Sequence, residues 1–124
     1  MSQTKLKKVV IKMGGEEKLR IILRDFYKRM SQDILIGFFF SHLDTNQIAD
    51  SQAKFILFAM GESHSYTGKT PTSAHLELPP ILDGHFNRRI VILEQTLKDY
   101  QLDRIDRDTW IEFENAFRKI IVKD

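Results

Sequence analysis

Three observations in this 124-residue sequence predict a compact all-α fold. Apolar residues return every three or four positions along four separate segments, the period of one helix face. Glycine, proline or a capping aspartate punctuates the ends of those segments. No stretch forms a convincing strand, repeat or low-complexity tract.

The elements follow in order. Gly14-Gly15 breaks the chain, and Glu16-Glu17 then place negative charge in a first helical turn, where the helix dipole favours it. Leu19, Ile22, Leu23, Phe26, Tyr27 and Met30 share one stripe, which predicts a helix over residues 16–31. Residues 34–40 are apolar but too few for an independent helix, and read as a 3₁₀ turn. Asp44, with Gln47 three positions on, is an N-cap pattern. The inward face of the next helix reads Ile48, Gln52, Phe55 and Ala59, with Gly61 as its stop. Gln52 is the polar member of that stripe and needs a hydrogen-bond partner, because burying an unpaired amide is costly.

Residues 61–72 read as a loop closed by Pro71, followed by a brief turn carrying Ala74-His75 that Pro79-Pro80 ends. Asp83 is placed to cap a helix with Phe86, Ile90, Leu93 and Leu97 on one face. After Leu102, Asp106 or Asp108 starts a last helix with Trp110, Phe113, Phe117, Ile120 and Ile121 on its apolar side. The irregular connection in the middle is longer than the roughly 2–8 residues usual in a helical bundle. It makes sense as a segment that closes over a ligand.

Composition narrows the function classes. The length suits one domain with a real hydrophobic core. Apolar residues make up 42% and charged residues 29%, a soluble globular balance. A formal charge of +2 is too small to argue for nucleic acid. Lys5, Lys7, Lys8 and Lys12 make residues 1–13 a basic arm or short helix ahead of a domain over residues 14–124, read as a solvated terminus, with a phosphate- or membrane-surface contact as the alternative. The absence of cysteine excludes disulfides, iron–sulfur ligation, cysteine-based zinc sites and thioether-linked haem. It is compatible with the cytosol. Val9-Val10-Ile11 is too short for a secretory core, and no apolar run approaches a membrane span, so a cytoplasmic protein is expected.

The landmarks Gly14-Gly15, Asp25-Phe26-Tyr27, Phe39-Phe40, Gln52, Tyr66-Thr67-Gly68, His75 and His85-Phe86, in this order and register, resemble the truncated haemoglobins. The likeness covers roughly residues 13–100 and is closest to group I members. It implies a truncated globin-like 2-on-2 helical sandwich around haem b, an iron protoporphyrin IX held non-covalently. Residue by residue, it implies His75 as the proximal iron ligand, Tyr27 and Gln52 as the distal pair, and Phe40 as the ring stacked on haem. Ile48 falls where the larger globins often place a distal histidine, and Phe55 and Phe86 match apolar positions near the haem or its tunnel. Two features depart from group I. Gly61 is followed by Glu62, and the stretch from His75 to Phe86 is one residue longer, with a His-x-x-Leu-Pro character similar to group III.

Each assignment competes with a plainer reading. His75 alone would be a surface histidine at a turn, Tyr27 a core tyrosine, and Gln52 the polar edge of its stripe. As a set they supply one imidazole for the iron and two donors for a bound gas. Oxygen on ferrous iron takes on superoxide character, and a donor beside it contributes about 1.5–3 kcal/mol. Tyr27 and Gln52 are also expected to bond each other when no gas is present. Tyr66 and Lys69 are placed to meet the haem propionates, or are solvated loop residues. No histidine stands at position 48 or 51, so histidine does not close the sixth coordination place from there. None follows His85 either, which excludes the covalent attachment through a last-helix histidine found in some relatives.

Other motifs fail their context. Thr67-Gly68-Lys69-Thr70 imitates the end of a phosphate-binding loop, but position 63 is Ser63 and Pro71 stands where a helix should begin. His42, His64, His75 and His85 are too scattered for a helix-borne zinc pair. The expected function is therefore binding of O2, with NO or CO, and NO dioxygenase-type conversion if an external reductase supplies electrons. The alternatives are a gas sensor or carrier without turnover, and a haem-less helical interaction module. Oligomeric state is not legible.

Overall fold

The computed structural model describes residues 2–61 and 80–123, with side chains from Lys5 onward. Among them run α1 (Ser2–Met13), α2 (Gly15–Ser31), a 3₁₀ turn (Gly37–Phe40), α3 (Thr45–Ala59), α4 (Asp83–Asp99), α5 (Arg104–Asn115) and a short α6 (Arg118–Ile121). The described residues hold no strand beyond an isolated bridge between Ile81 and Val122, closed by Lys123 N–H donating to the Ile81 carbonyl at 2.9 Å.

Helix α2 is the hub. It packs against α1, α3, α4 and the 3₁₀ turn. Its six-residue stripe, Leu19, Ile22, Leu23, Phe26, Tyr27 and Met30, is buried throughout, as the three-and-four spacing predicts. Glu16 and Glu17 lie in its first turn and Lys28 and Arg29 in its last, both in the sense the helix dipole favours. Gly14 and Gly15 have φ of 129° and 79°, a left-handed region that glycine enters at little cost and that lets α1 turn sharply into α2.

Helix α1 is part of the core. Leu6, Val9 and Val10 are buried against α2 and α5, while Lys5, Lys8 and Lys12 stay exposed. Lys12 Nζ reaches Asp103 Oδ2 at 3.1 Å and Asp106 Oδ2 at 3.0 Å, tying the end of α1 to the start of α5.

Helix α3 begins where the capping pattern places it. Asp44 Oδ1 accepts from the N–H groups of Asn46 at 3.0 Å and Gln47 at 3.2 Å. The helix runs to Ala59, and Gly61 follows at φ 80°. Its buried face differs from the expected one by a single residue. Ala49, Ala53, Ile56 and Met60 are buried, whereas Ile48, Gln52, Phe55 and Ala59 are half-buried beside them. The small Ala49 and Ala53 let α3 lie close on α2. The expected stripe is turned by one position, about 100°, to the flank of that contact.

Two later boundaries also shift. Asp83 is the first residue of α4 rather than its cap. The Leu82 N–H is taken instead by His85 Nδ1 at 3.0 Å, and the His85 ring is half-buried edge-on to Phe39 at 5.1 Å. Helix α5 is capped by Asp103, whose side chain accepts from Asp106 N–H, and it ends at Asn115 instead of running on through Ile121. The chain turns at 116–117, which leaves Phe117 half-buried and Ile120 exposed while Trp110 and Phe113 stay in the core. On α4, Phe86, Ile92, Leu93, Thr96 and Leu97 are buried and Ile90 is half-buried.

Candidate functional site

The site is built from the helix stripes. Position 27 lies on the buried stripe of α2, and Tyr27 is 5% exposed. Its ring meets Phe26 at 5.4 Å and the Phe40 ring edge-on at 5.9 Å. The 3₁₀ turn supplies Phe40 because Asp33 holds the approach to it. Asp33 Oδ2 accepts from Leu35 and Ile36 N–H, and its Oδ1 takes Arg88 Nη2 at 2.7 Å. Gly37 completes the bend, where a Cβ would stand 2.7 Å from the Ser31 carbonyl oxygen.

Helix α3 contributes Ile48, Gln52 and Phe55, all half-buried. The Phe55 ring meets Phe117 edge-on at 5.6 Å, and Phe117 in turn meets Phe113 at 5.4 Å. Phe86 on α4 is 2% exposed beneath the Arg118 guanidinium, 4.5 Å from its ring centre. Tyr66, Lys69 and His75 lie outside the described residues.

The Tyr27 hydroxyl is partnered, but by Arg89 rather than by Gln52. Among the described residues no hydrogen bond joins Tyr27 to Gln52, and Arg89 Nη2 reaches Tyr27 Oη at 3.5 Å. Arg89 projects from α4 across the faces of Phe26 and Tyr27, with ring centres 5.0 and 5.6 Å from its guanidinium carbon. Glu114 of α5 anchors it. Its Oε2 accepts from Arg89 Nη2 at 3.0 Å and Nε at 3.3 Å. The Arg89 side chain is 19% exposed and that of Glu114 6%. Burial acts against the Arg89 charge, but the Tyr27 oxygen and the Glu114 carboxylate outweigh it and hold the guanidinium above its ordinary value. Sequence reasoning missed this pair. A signal was present: Arg89 stands three residues after Phe86 and four before Leu93, and Glu114 four after Trp110, so opposite charges sit at helical spacing within two apolar faces.

A buried phenol beside a half-buried apolar stripe has the chemistry of a wall for a flat apolar cofactor whose bound ligand is polar. The described residues therefore fit a haem on the tyrosine side.

Comparison with known proteins agrees with that fit. The Bacterial-like globin family matches residues 9–123. The chain is 33% identical over 91 residues to a group 1 truncated haemoglobin of Synechocystis sp., covering 71% of this chain and 73% of that protein. It is 31% identical over 88 residues to the group 1 truncated haemoglobin of Tetrahymena pyriformis, covering 71% and 72%. A group 1 truncated haemoglobin of Chlamydomonas moewusii is 32% identical over 89 residues, and the match spans about half of that protein's length, 52%. In structure, the chain is similar to a variant of the Tetrahymena pyriformis truncated haemoglobin in its ferric form, with a TM-score of 0.83, 25% identity, and coverage of 94% of this chain and 98% of that one. It shares the fold of the 2/2 haemoglobin of Synechococcus sp., solved with covalently attached haem, at a TM-score of 0.79 and 20% identity over 92% of this chain and 97% of that one. The buried tyrosine, the helical frame around it and the family match over 9–123 make one conclusion: this chain belongs to the bacterial-like globins and is a truncated haemoglobin.

Proposed function

We propose that the protein binds O2, and NO and CO, at a non-covalent haem b whose open side is lined by Tyr27 and Gln52. The observation that carries the reading is the buried Tyr27 hydroxyl beside the half-buried Phe40 ring and next to the helix bearing Ile48, Gln52 and Phe55. When bound, haem supplies an iron that takes a diatomic gas, and the protein supplies the surroundings.

His75 is assigned as the iron ligand, with Tyr66 and Lys69 at the propionates. With haem in place, Tyr27 would offer its O–H, and Gln52 its amide N–H, as donors to a bound gas. Phe40, Ile48, Phe55 and Phe86 keep water from the site, which strengthens those hydrogen bonds. A non-covalent link is supported by the absence of cysteine and of any histidine after His85. NO, O2 and one electron together balance to nitrate, so turnover draws its electron from an external reductase. A cytoplasmic setting belongs to the same reading, and no helix among the described residues is long and apolar enough to cross a membrane.

The test is spectroscopic. Protein supplied with haem is expected to show a Soret band that shifts on reduction and again with CO, and His75→Ala is expected to lose the band or retain haem poorly. A colourless wild-type protein, or an unchanged spectrum in His75→Ala, overturns the assignment.

A further inference from the structure

We infer that Arg89 makes the ligand pocket selective for small monoanions, an inference that rests on the haem reading above. The guanidinium carries five N–H donors. Glu114 Oε2 takes Nε at 3.3 Å and Nη2 at 3.0 Å, and Nη2 also reaches Tyr27 Oη at 3.5 Å. Among the described residues, Nη1 meets only Met30 Sδ, at 3.7 Å, and a thioether is a weak acceptor. A cation that is 19% exposed thus keeps donor capacity on Nη1, which shares the outer edge of the guanidinium with the Nη2 that meets Tyr27 Oη. An oxygen or nitrogen atom of an anion would fill it.

The carboxylate does not cancel this preference. Glu114 holds the Nε and Nη2 edge, so an anion against Nη1 lies nearer the cation than the carboxylate. Coulomb attraction falls with distance, and the nearer charge wins. Tyr27 adds to the effect. Its oxygen accepts from Arg89, and its own hydroxyl proton has no acceptor among the described residues. An entering monoanion such as azide or nitrite therefore meets an O–H and an N–H donor together. Stability alone is a poor reason for the pair, since apolar side chains of similar volume commonly serve a buried site as well or better.

The experiment is a titration of the ferric, haem-loaded protein with azide and with nitrite, followed at the Soret band, with neutral imidazole as the control. Removing Arg89 alone strands Glu114, so the main variant is Arg89→Met with Glu114→Leu. It is expected to bind both anions roughly 10- to 100-fold more weakly, with imidazole affinity little changed. Glu114→Gln removes only the opposing charge and is expected to bind azide more tightly than wild type. The C–O stretch of the CO-bound form is expected to rise in the double variant, because a cation near the ligand lowers it. Equal anion affinities in wild type and double variant overturn the inference and leave the haem reading standing. Poorer haem retention with unchanged anion affinity would place the guanidinium on a propionate, and overturns it too. A protein without a Soret band fails earlier, at the haem reading itself.

Discussion

Replacing Glu114 with glutamine keeps the side chain's volume and removes one charge from a pair that is largely out of water. The Glu114 side chain is 6% exposed, and its Oε2 takes two N–H groups of Arg89 at 3.0 and 3.3 Å. Breaking a fully buried pair from one side costs about 3–5 kcal/mol, because the surviving charge stays desolvated. Arg89 is 19% exposed and stacks on Phe26 and Tyr27, so water and the ring faces recover part of that cost. The expected loss is about 2–4 kcal/mol. A domain of this size unfolds with an entropy of about 0.26 kcal/mol per kelvin, so the melting temperature should fall by about 8–15 °C. Global stability is of the order of 6–19 kcal/mol, and the variant should still fold. Urea unfolding followed by circular dichroism, with and without haem, gives the loss directly. Arg89→Met should lose a similar amount, and the combination Arg89→Met with Glu114→Leu should recover most of it, since no charge is then stranded. Single variants that each lose under about 0.5 kcal/mol, the usual range for exposed sites, would refute the reasoning.

Further outcomes follow from other contacts. Tyr27→Phe removes the hydroxyl and should raise the O2 dissociation rate about tenfold or more by flash photolysis, with Gln52→Leu moving it in the same direction. Unchanged rates in both would mean that neither side chain meets the ligand. Gly37→Ala would press a methyl 2.7 Å from the Ser31 carbonyl oxygen and should cost about 1–3 kcal/mol, read as a lower urea midpoint. Asp33 is held below the ordinary carboxylate range by the Arg88 guanidinium, against a smaller opposing effect of burial and with help from Leu35 and Ile36 N–H. A depressed folded-state value contributes stability above the unfolded value, near pH 4, that is lost as pH falls through the folded one. The wild-type urea midpoint should therefore fall more steeply between about pH 5 and pH 3 than that of Asp33→Asn, and parallel curves would contradict the assignment.

Local signals were legible because their causes are local. The α2 stripe is buried as its spacing predicts, Asp44 caps α3, Gly61 stops it, and Gly37–Phe40 forms the short 3₁₀ turn. Each depends on residues within a turn or two of one another, so the chain carries the answer in its own order. Phe40, Ile48 and Phe55 are half-buried, and periodicity alone put the α3 contact one residue away from where it lies.

What only the tertiary structure decided are matters of partnership between distant segments. Whether α3 presents its alanines or its larger residues to α2 depends on how closely two helices can approach, and Ala49 and Ala53 allow the tighter contact. Whether the basic first residues stay in solvent depends on a groove between α2 and α5 that Leu6, Val9 and Val10 fill. The partner of the Tyr27 hydroxyl is 62 residues away in the chain, and the counterion of that partner is another 25 further on. A charge on an apolar face can be flagged from periodicity, but its neutralisation is a fact of three helices meeting, and no spacing within one helix encodes it.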